Sequence, residues 1–312
     1  MTLPSQLKRL ALVIALAAVS WALLPLAVHA TSGSAGQLVA GPAMGLVYPR
    51  GYDPVTRTEG VAPYRRGAAN MTYHGGVIMP TAVSKAISWG QSWANSSFVG
   101  DKITGIDSFY SGFGSSNYAQ ISDEYTGSNG QVGSTMTYQS HIVDTSAAAG
   151  GASTSAILAE VAKTITNPDP NGNGYYPVYT DVPRGSAGYC AWHSTGTVQG
   201  IRVQFAFFWK LDGDSGCDPQ DTTTGHSQGL AALANVSAHE VSEARTDPAN
   251  PGAWYDSNGQ ENGDKCAWTF GAPTVTLNGT KWKLQGEWSN KAYTAGTGYP
   301  NSAGQHGCLG GL

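Results

Sequence analysis

The stretch Ile201-Arg-Val-Gln-Phe-Ala-Phe-Phe-Trp-Lys210 decides the fold class of this chain. Large apolar side chains recur in it at every second position, which is the period of a β-strand. They are Ile201, Val203, Phe205, Phe207 and Trp209. Since this side of the strand is continuously apolar, it must lie in a hydrophobic core.

Upstream of this strand, the sequence predicts two more strands and a helix. Ala82–Trp89 places its large residues at one parity and only Ala and Ser at the other, so we predict a strand with one tightly packed face. Ser155–Thr166 has apolar residues at helical spacing and ends at Asn167-Pro168, where proline blocks continuation. After the turn at 169–174, Tyr175–Tyr179 is predicted as a strand.

Downstream, Ser227–Arg245 (SQGLAALANVSAHEVSEAR) is the best helix candidate and ends before Thr246-Asp247-Pro248. Near the end of the chain, 274–277 and 281–285 flank Asn278-Gly279, the strongest short hairpin signal. Strands and helices mix without strict β-α-β alternation, so we predict an α+β fold. The expected architecture is a single secreted domain with a mixed sheet, packed helices and a C-terminal β-hairpin.

The first 30 residues have the pattern of a cleavable signal peptide. Lys8 and Arg9 precede the apolar run Leu10–Leu26, and Val28-His-Ala30 offers small or modest residues at the cleavage site. An uncleaved membrane anchor is the alternative, because the run approaches the roughly 18–20 residues that span a bilayer. With cleavage, the protein is secreted, residues 31–69 form a flexible Gly/Ala/Pro-rich leader, and 70–312 form the folded domain.

The charge and hydropathy of the chain argue against nucleic-acid binding and against a membrane-spanning mature form. Charged residues make up 12% of the sequence and the net charge is −4. Because there is no Lys/Arg block, we expect no binding to nucleic acid. No segment after the first 30 residues is long and apolar enough to span a membrane, so the mature form should not be membrane-embedded.

Four cysteines lie in the exported part, at positions 190, 217, 266 and 308. An even number in an oxidising compartment indicates disulfides, so we predict two bridges and leave the three pairings open. A cysteine-ligated metal site is less favoured, because the chain contains no CxxC pair.

The residues His-Glu-Val-Ser-Glu at 239–243 carry the candidate chemistry. On a helix, His239 and Glu243 lie one turn apart and can bind the same ion, while Glu240 projects beside it as a candidate base. Ala232 and Val236 share the side of His239 and Glu243, so we expect that side not to be fully solvated. A buried His/Glu pair needs partners.

The spacing resembles that of the gluzincin peptidases, although a glutamate replaces the second histidine of HExxH. The resemblance implies zinc as the cofactor, with Glu261 as a further ligand and Asp264 as the partner that orients a ligand histidine. Glu240 would then take a proton from water activated by the ion, for attack on an amide or ester carbonyl. This hypothesis describes a secreted metal-dependent hydrolase of peptidase type.

Other interpretations of the same residues stay open. His239 and Glu243 could form a simple i,i+4 pair, and Asp256–Glu261 could hold calcium, since calcium prefers oxygen-rich turns. His193 and His226 are further candidate ligands, but a lone histidine more often has a core or surface role. Residues 225–229 match G-x-S-x-G, yet the polar segment before them lacks the strand that a nucleophile elbow requires.

Several segments, taken in order, resemble the EXORDIUM or phosphate-induced protein family. They are Tyr73-His-Gly-Gly76, Trp89-Gly90, Pro168-Asp-Pro-Asn-Gly172, Tyr175-Tyr-Pro-Val-Tyr179, Cys190-Ala-Trp-His193, Cys217, Thr246-Asp-Pro248 and Trp254-Tyr255. The likeness covers roughly residues 71–266 and implies a secreted, cell-wall-associated protein linked to growth and extracellular signalling, without an established enzymatic activity.

The plant members lack the His-Glu pair, so residues 239, 240 and 243 are a departure, or belong to a bacterial-type branch whose helix reads HExxExxTDP. The resemblance therefore keeps a second hypothesis open: a non-catalytic extracellular or cell-wall-associated binding or signalling module, with a structural metal or none. A peptide or a cell-wall polymer is the expected partner under these hypotheses.

Overall fold

The strand predicted over 201–210 lies near the centre of a seven-stranded mixed sheet. The computed structural model describes residues 38–53, 58–59 and 70–311, and the predicted signal peptide lies outside them. In chain order, the strands of the sheet are β1 (Val39–Ala40), β2 (Met44–Val47), β3 (Ala82–Trp89), β4 (Met136–Asp144), β5 (Gly174–Pro183), β6 (Ala191–Val198) and β7 (Ile201–Lys210).

Across the sheet the order is β1-β6-β7-β5-β3-β4, and β2 also pairs with β6. The strands β7, β5, β3 and β4 run parallel to one another. Antiparallel pairing joins β6 to β7, to β1 and to β2. The predicted mixed sheet and α+β class are confirmed, since helices and strands both contribute and the sheet contains both pairings.

Helices cover both faces of the sheet. They are α1 (Ser96–Val99), α2 (Lys102–Phe113), α3 (Asn117–Gln120), α4 (Thr154–Thr164), α5 (Gln228–Thr246) and α6 (Asn290–Thr294), with 3-10 turns at Gln91–Ala94, Ile121–Glu124, Ser215–Cys217 and Asp264–Cys266. On one face, α4 packs so closely on the sheet that a Cβ added at Gly196 of β6 would lie only 2.6 Å from the Leu158 side chain. On the other, Tyr179 of β5 hydrogen-bonds Ser237 of α5 at 2.7 Å.

Short antiparallel ribbons surround this core. They pair Tyr52–Asp53 with Thr58–Glu59, Thr72–Tyr73 with Trp254–Tyr255, Thr126–Gly127 with Gly130–Gln131, and Val275–Leu277 with Thr280–Trp282. A three-stranded sheet follows, made of Glu287–Trp288, Tyr299–Pro300 and His306–Leu309. The hairpin at Asn278-Gly279 is confirmed, with both turn residues at positive φ, +45° and +81°.

Helix α5 is buried on every side, because it lies between the sheet and the C-terminal segments. Each of its residues from Gly229 to Thr246 is buried. The expectation that the side carrying His239 and Glu243 is not fully solvated is therefore confirmed. The helix differs from an ordinary surface helix in having no solvated face at all.

The flexible leader predicted for residues 31–69 is wrong for residues 39–47. Val39 pairs with Thr197, Val47 pairs with Ala191, and both pairings extend the main sheet beyond β6. The Gly/Ala/Pro-rich composition does not indicate these two short edge strands, because backbone pairing does not depend on strand-forming side chains. The folded unit thus begins well before Asn70, and the described residues belong to one unit spanning Ala35–Leu312.

Two disulfides form, as predicted, between Cys190 and Cys217 and between Cys266 and Cys308. They are compatible with an extracellular protein. In the part of the chain that the structure describes, no helix is both long and apolar enough to cross a membrane.

Candidate metal centre

Helix α5 turns a polar stripe towards the C-terminal part of the chain. Asn235 accepts a hydrogen bond from the backbone N–H of Gln285 at 2.7 Å, and Thr246 donates to the Asn262 side chain at 3.3 Å. His239 and Glu243 lie on this stripe between these anchors. The helix therefore delivers them, fully buried, to the loop 261–264.

Ser227 has a structural role at the start of the same helix. Its Oγ accepts the N–H of Leu230 at 3.2 Å, and its own N–H donates to Asp101 at 2.8 Å. This is a helix N-cap. The G-x-S-x-G match at 225–229 thus has a sufficient explanation without a serine nucleophile.

One cluster of candidate ligands joins α5 to the loop. His239 Nε2 lies 3.0 Å from Glu243 Oε1 and 3.6 Å from Asp264 Oδ1. Each of the three residues offers a ligand atom within 4.8 Å of the others. We call His239, Glu243 and Asp264 the helix cluster.

A second cluster shares Glu243 and adds a strand. His193 Nε2, on β6, lies 3.4 Å from Glu261 Oε2 and 3.8 Å from Glu243 Oε2. These three residues also have ligand atoms within 4.8 Å of one another. We call His193, Glu243 and Glu261 the strand cluster.

Backbone hydrogen bonds hold the loop against the helix. The N–H of Asp264 donates to Glu243 Oε1 at 2.8 Å, and the N–H of Glu261 donates to Asp264 Oδ2 at 3.2 Å. Just after the loop, the Cys266–Cys308 disulfide ties it to the C-terminal sheet. The backbone thus positions the Asp264 carboxylate directly, while the Glu261 carboxylate is in contact with His193.

Two glycines allow the close approach of these elements. A Cβ at Gly45 of β2 would lie 1.9 Å from Glu243 Oε2 and 2.5 Å from the His193 ring. A Cβ at Gly263 would lie 2.9 Å from both Glu243 Oε1 and the His239 ring. Any other residue would push β2 or the loop away from the carboxylate.

Burial shifts the pKa of every ionisable group in the two clusters. It raises the pKa of Glu243 to about 8 and that of Asp264 to about 8, and it raises the pKa of Glu261 well above its usual range. Burial lowers the pKa of His193 to about 3 and also lowers the pKa of His239. Without a cation, burial thus favours the protonated carboxyl groups and the neutral histidines.

Nearby basic side chains are engaged by other groups. Lys265 donates to Asp256 Oδ2 at 3.0 Å. Arg245 donates to the backbone carbonyls of Ala119 at 2.9 Å and Gly133 at 2.8 Å. A dication bound at the two clusters would offset the charge of their carboxylates when these are ionised.

Several ligand atoms have no hydrogen-bond partner among the described residues. They are His239 Nε2, Glu243 Oε2, Glu261 Oε2 and both carboxyl oxygens of Glu240. His239 Nε2 lacks hydrogen-bonding geometry despite the short approach of Glu243. Buried polar atoms without partners cost free energy, and three of these atoms, on His239, Glu243 and Glu261, belong to the two clusters. Imidazole nitrogens mixed with carboxylates fit zinc, whereas calcium takes oxygen ligands.

Gln285 controls which nitrogen of His239 can bind an ion. Its side-chain amide lies 3.0 Å from His239 Nδ1 and donates to the Gly263 carbonyl at 2.9 Å. Binding through Nε2 requires the ring hydrogen to sit on Nδ1, with the Gln285 oxygen turned to accept it. That turn would give up the hydrogen bonds that the Gln285 amide now makes with the Gly263 carbonyl and with the N–H of Trp268. Asp264, which the gluzincin resemblance gave the role of orienting a ligand histidine, instead faces Nε2 together with Glu243.

The acidic turn at 256–261 has contacts of its own. Asp256 Oδ1 accepts the N–H groups of Asn258 at 2.8 Å and Gln260 at 3.1 Å, while its Oδ2 pairs with Lys265. Glu261 faces His193 instead. The carboxylates of Asp256 and Glu261, which the calcium hypothesis places in one site, thus make contacts with different groups.

The structure brings together the four predicted ligands, His239, Glu243, Glu261 and Asp264, and it adds His193. The sequence offers His193 only as a further candidate ligand, since a lone histidine more often has a core or surface role. The structure places it on β6, fully buried and paired with Ala206 of β7. His226 lies elsewhere, where it stacks on Trp282 and contacts the Lys281 carbonyl at 3.0 Å.

Comparison with protein-family models, curated proteins and solved structures finds no match to this chain. The resemblances to the EXORDIUM family and to the gluzincins therefore stay predictions.

Proposed function

We propose that this protein is a secreted zinc-dependent hydrolase of peptidase type. The observation that carries the proposal is the convergence of His193, His239, Glu243, Glu261 and Asp264, with unpartnered ligand atoms, near the buried Glu240, whose carboxyl oxygens have no hydrogen-bond partner among the described residues. The two disulfides are compatible with action outside the cell.

The ligand residues would hold the ion through imidazole nitrogen and carboxylate oxygen. Bound zinc supplies Lewis-acid chemistry: it polarises a carbonyl and lowers the pKa of water to about 7. The protein's own part is to orient these groups, and it does so with α5, β6 and the disulfide-tied loop. An amide or ester is the substrate class that this chemistry suits.

Glu240 is the residue that favours catalysis over a purely structural ion. It is fully buried, and burial, with a smaller contribution from the neighbouring Glu243 and Asp264, raises its pKa well above the usual range. Among the described residues, neither of its carboxyl oxygens has a hydrogen-bond partner. A structural centre gains nothing from such a group, whereas a general base needs a free oxygen and a raised pKa.

A non-catalytic module with a structural zinc is the second candidate. The observation in its favour is burial: the side chains of His193, His239 and Glu243 have no exposed surface, and β2 lies over them. Catalysis requires the segment around Gly45 to move away from the centre before a substrate can reach it. A structural ion requires no such movement.

Glu240→Gln separates these candidates. The purified wild-type protein should contain stoichiometric zinc and hydrolyse a peptide or ester library, and the variant should keep its zinc while losing at least about 100-fold in rate. Glu160→Gln, which changes a buried glutamate on α4, is the matched control and should retain activity. Zinc without any hydrolysis would favour the structural module, and a metal-free protein would refute both candidates.

A further inference from the structure

Glu243 belongs to both ligand clusters and presents a different oxygen to each. Its Oε1 faces His239 at 3.0 Å, and its Oε2 faces His193 at 3.8 Å. Oε1 also accepts the N–H of Asp264, while Oε2 has no hydrogen-bond partner. This is the arrangement of a bridging carboxylate, in which each oxygen binds a different ion.

The remaining ligands divide evenly between the two oxygens. The helix cluster adds His239 and Asp264, and the strand cluster adds His193 and Glu261. In the loop 261–264, the carboxylate of Glu261 belongs to the strand cluster and that of Asp264 to the helix cluster. The N–H of Glu261 donates to Asp264 Oδ2, so that Asp264 Oδ1 faces His239. Each side thus has one imidazole, one carboxylate of its own and one oxygen of Glu243.

The charge of the site also favours two ions. Ionisation of the three cluster carboxylates, Glu243, Glu261 and Asp264, together with the buried Glu240 would place four negative charges in and beside the site. One dication offsets two of these charges, and two dications offset all four. In a buried site, charge that is not offset is costly, so full occupancy stabilises the ionised form best.

Unpartnered atoms point into both clusters. Glu261 Oε2 in the strand cluster and His239 Nε2 in the helix cluster are both buried and without a hydrogen-bond partner. Each cluster is also overlaid by a glycine, Gly45 on one side and Gly263 on the other. Each side of Glu243 therefore has an unpartnered buried ligand atom and a closely packed glycine.

We infer that the centre binds two divalent cations, bridged by Glu243, with His193 and Glu261 on one ion and His239 and Asp264 on the other. The inference rests on the proposed metal-dependent function and deepens it. With two ions, one can hold a substrate carbonyl oxygen while the other positions the nucleophile, which suits hydrolysis of an amide or ester.

Metal content of the full chain tests this inference. After metal removal, reconstitution with zinc and desalting, the wild type should contain two ions per chain by elemental analysis. His193→Ala and His239→Ala should each retain one ion, and Glu243→Gln should weaken both. His226→Ala, outside both clusters, should retain two.

Cobalt gives a second readout that does not depend on activity. The reconstituted Co²⁺ protein should show spin coupling between two ions in electron paramagnetic resonance, and either histidine variant should show the signal of an isolated ion. Far-UV circular dichroism identifies variants that fail to fold, and for these His193→Gln and His239→Gln replace the alanine changes. One ion per wild-type chain would overturn the two-ion inference and leave the proposed function standing. No bound ion would overturn both.

Discussion

At the scale of the residue, Glu243 joins the parts of the candidate centre. It touches His239 along its own helix, His193 on β6 and the backbone of Asp264 in the loop. Its raised pKa follows mainly from complete burial, which disfavours the charged form. A cation reverses that preference, because it favours the ionised carboxylate. The protonation of this one side chain therefore reports whether an ion is bound.

This gives a pH prediction for the metal-free protein. Glu243 and Asp264 have pKa values of about 8 when folded, against ordinary values of 4.5 and 3.8. Above about pH 7 the unfolded chain has released these protons, while the folded chain still binds them. Stability should thus fall as the pH rises from about 7 to about 8.5. The histidines do not oppose this trend, because both are largely neutral in either state above about pH 7.

Urea unfolding of the protein in chelator, at several pH values, measures this slope. Excess zinc should reverse it, since the ion displaces the same protons and binds more tightly as they leave. Glu243→Gln should reduce the metal-free slope, because Asp264 alone then contributes to it. A metal-free stability that rises over this interval would show that the folded carboxyl groups are already ionised.

At the scale of the element, strand β2 covers the candidate metal centre. It can lie this close to the centre because residue 45 is glycine. Gly45 has φ +51°, and its Cα hydrogen faces Glu243 and His193 where a side chain would collide. The pairing of β2 with β6 places the edge of the sheet directly over the site. Residues predicted as a flexible leader are therefore part of the centre's wall.

Gly45→Ala should lower both the free energy of unfolding and the zinc affinity. The collision and the left-handed backbone together should cost about 2–4 kcal/mol. Gly51→Ala is the matched control: its φ is +79°, but no atom of the described residues lies within 4 Å of its added Cβ. It should cost about 1 kcal/mol and leave zinc binding unchanged. Equal effects of the two changes would show that β2 does not press on the site.

At the scale of the whole molecule, the disulfides sit beside the segments that supply ligands. Cys190 precedes His193 on β6, and Cys266 follows Asp264 in the loop. The loop is joined to the C-terminal sheet by a backbone hydrogen bond from the N–H of Trp288 to the Asn262 carbonyl at 2.9 Å, whereas β6 pairs with whole strands on both sides. The Cys266–Cys308 bridge should thus matter more for the geometry of the centre.

Replacing Cys266 and Cys308 by alanine tests this difference. The bridge spans 42 residues, so its loss should cost about 4 kcal/mol of stability. Zinc should also dissociate faster from this variant, as measured by transfer to a chromogenic chelator. The Cys190 and Cys217 double variant should lose about as much stability, since its bridge spans 27 residues, but should keep the wild-type dissociation rate. The same rate in both variants would contradict a special role for the loop bridge.

Local patterns in the sequence determined the elements and the chemistry-bearing helix. The two-residue period of 201–210, the start of α5 at its Ser227 cap and the Asn278-Gly279 turn all depend on neighbours within a few positions. For the same reason, His239, Glu240 and Glu243 could be read as one site, since helical spacing alone places them together.

Only the tertiary structure decided that His193 belongs to that site, that Gln285 contacts the second nitrogen of His239, and that residues 39–47 join the sheet. Each of these depends on a contact between segments distant in the chain, as His193 and Glu243 are. Such contacts are set by strand order, register and the packing of α5, which no short pattern encodes. The ligand clusters are therefore a product of the fold, built around one motif that the sequence shows directly.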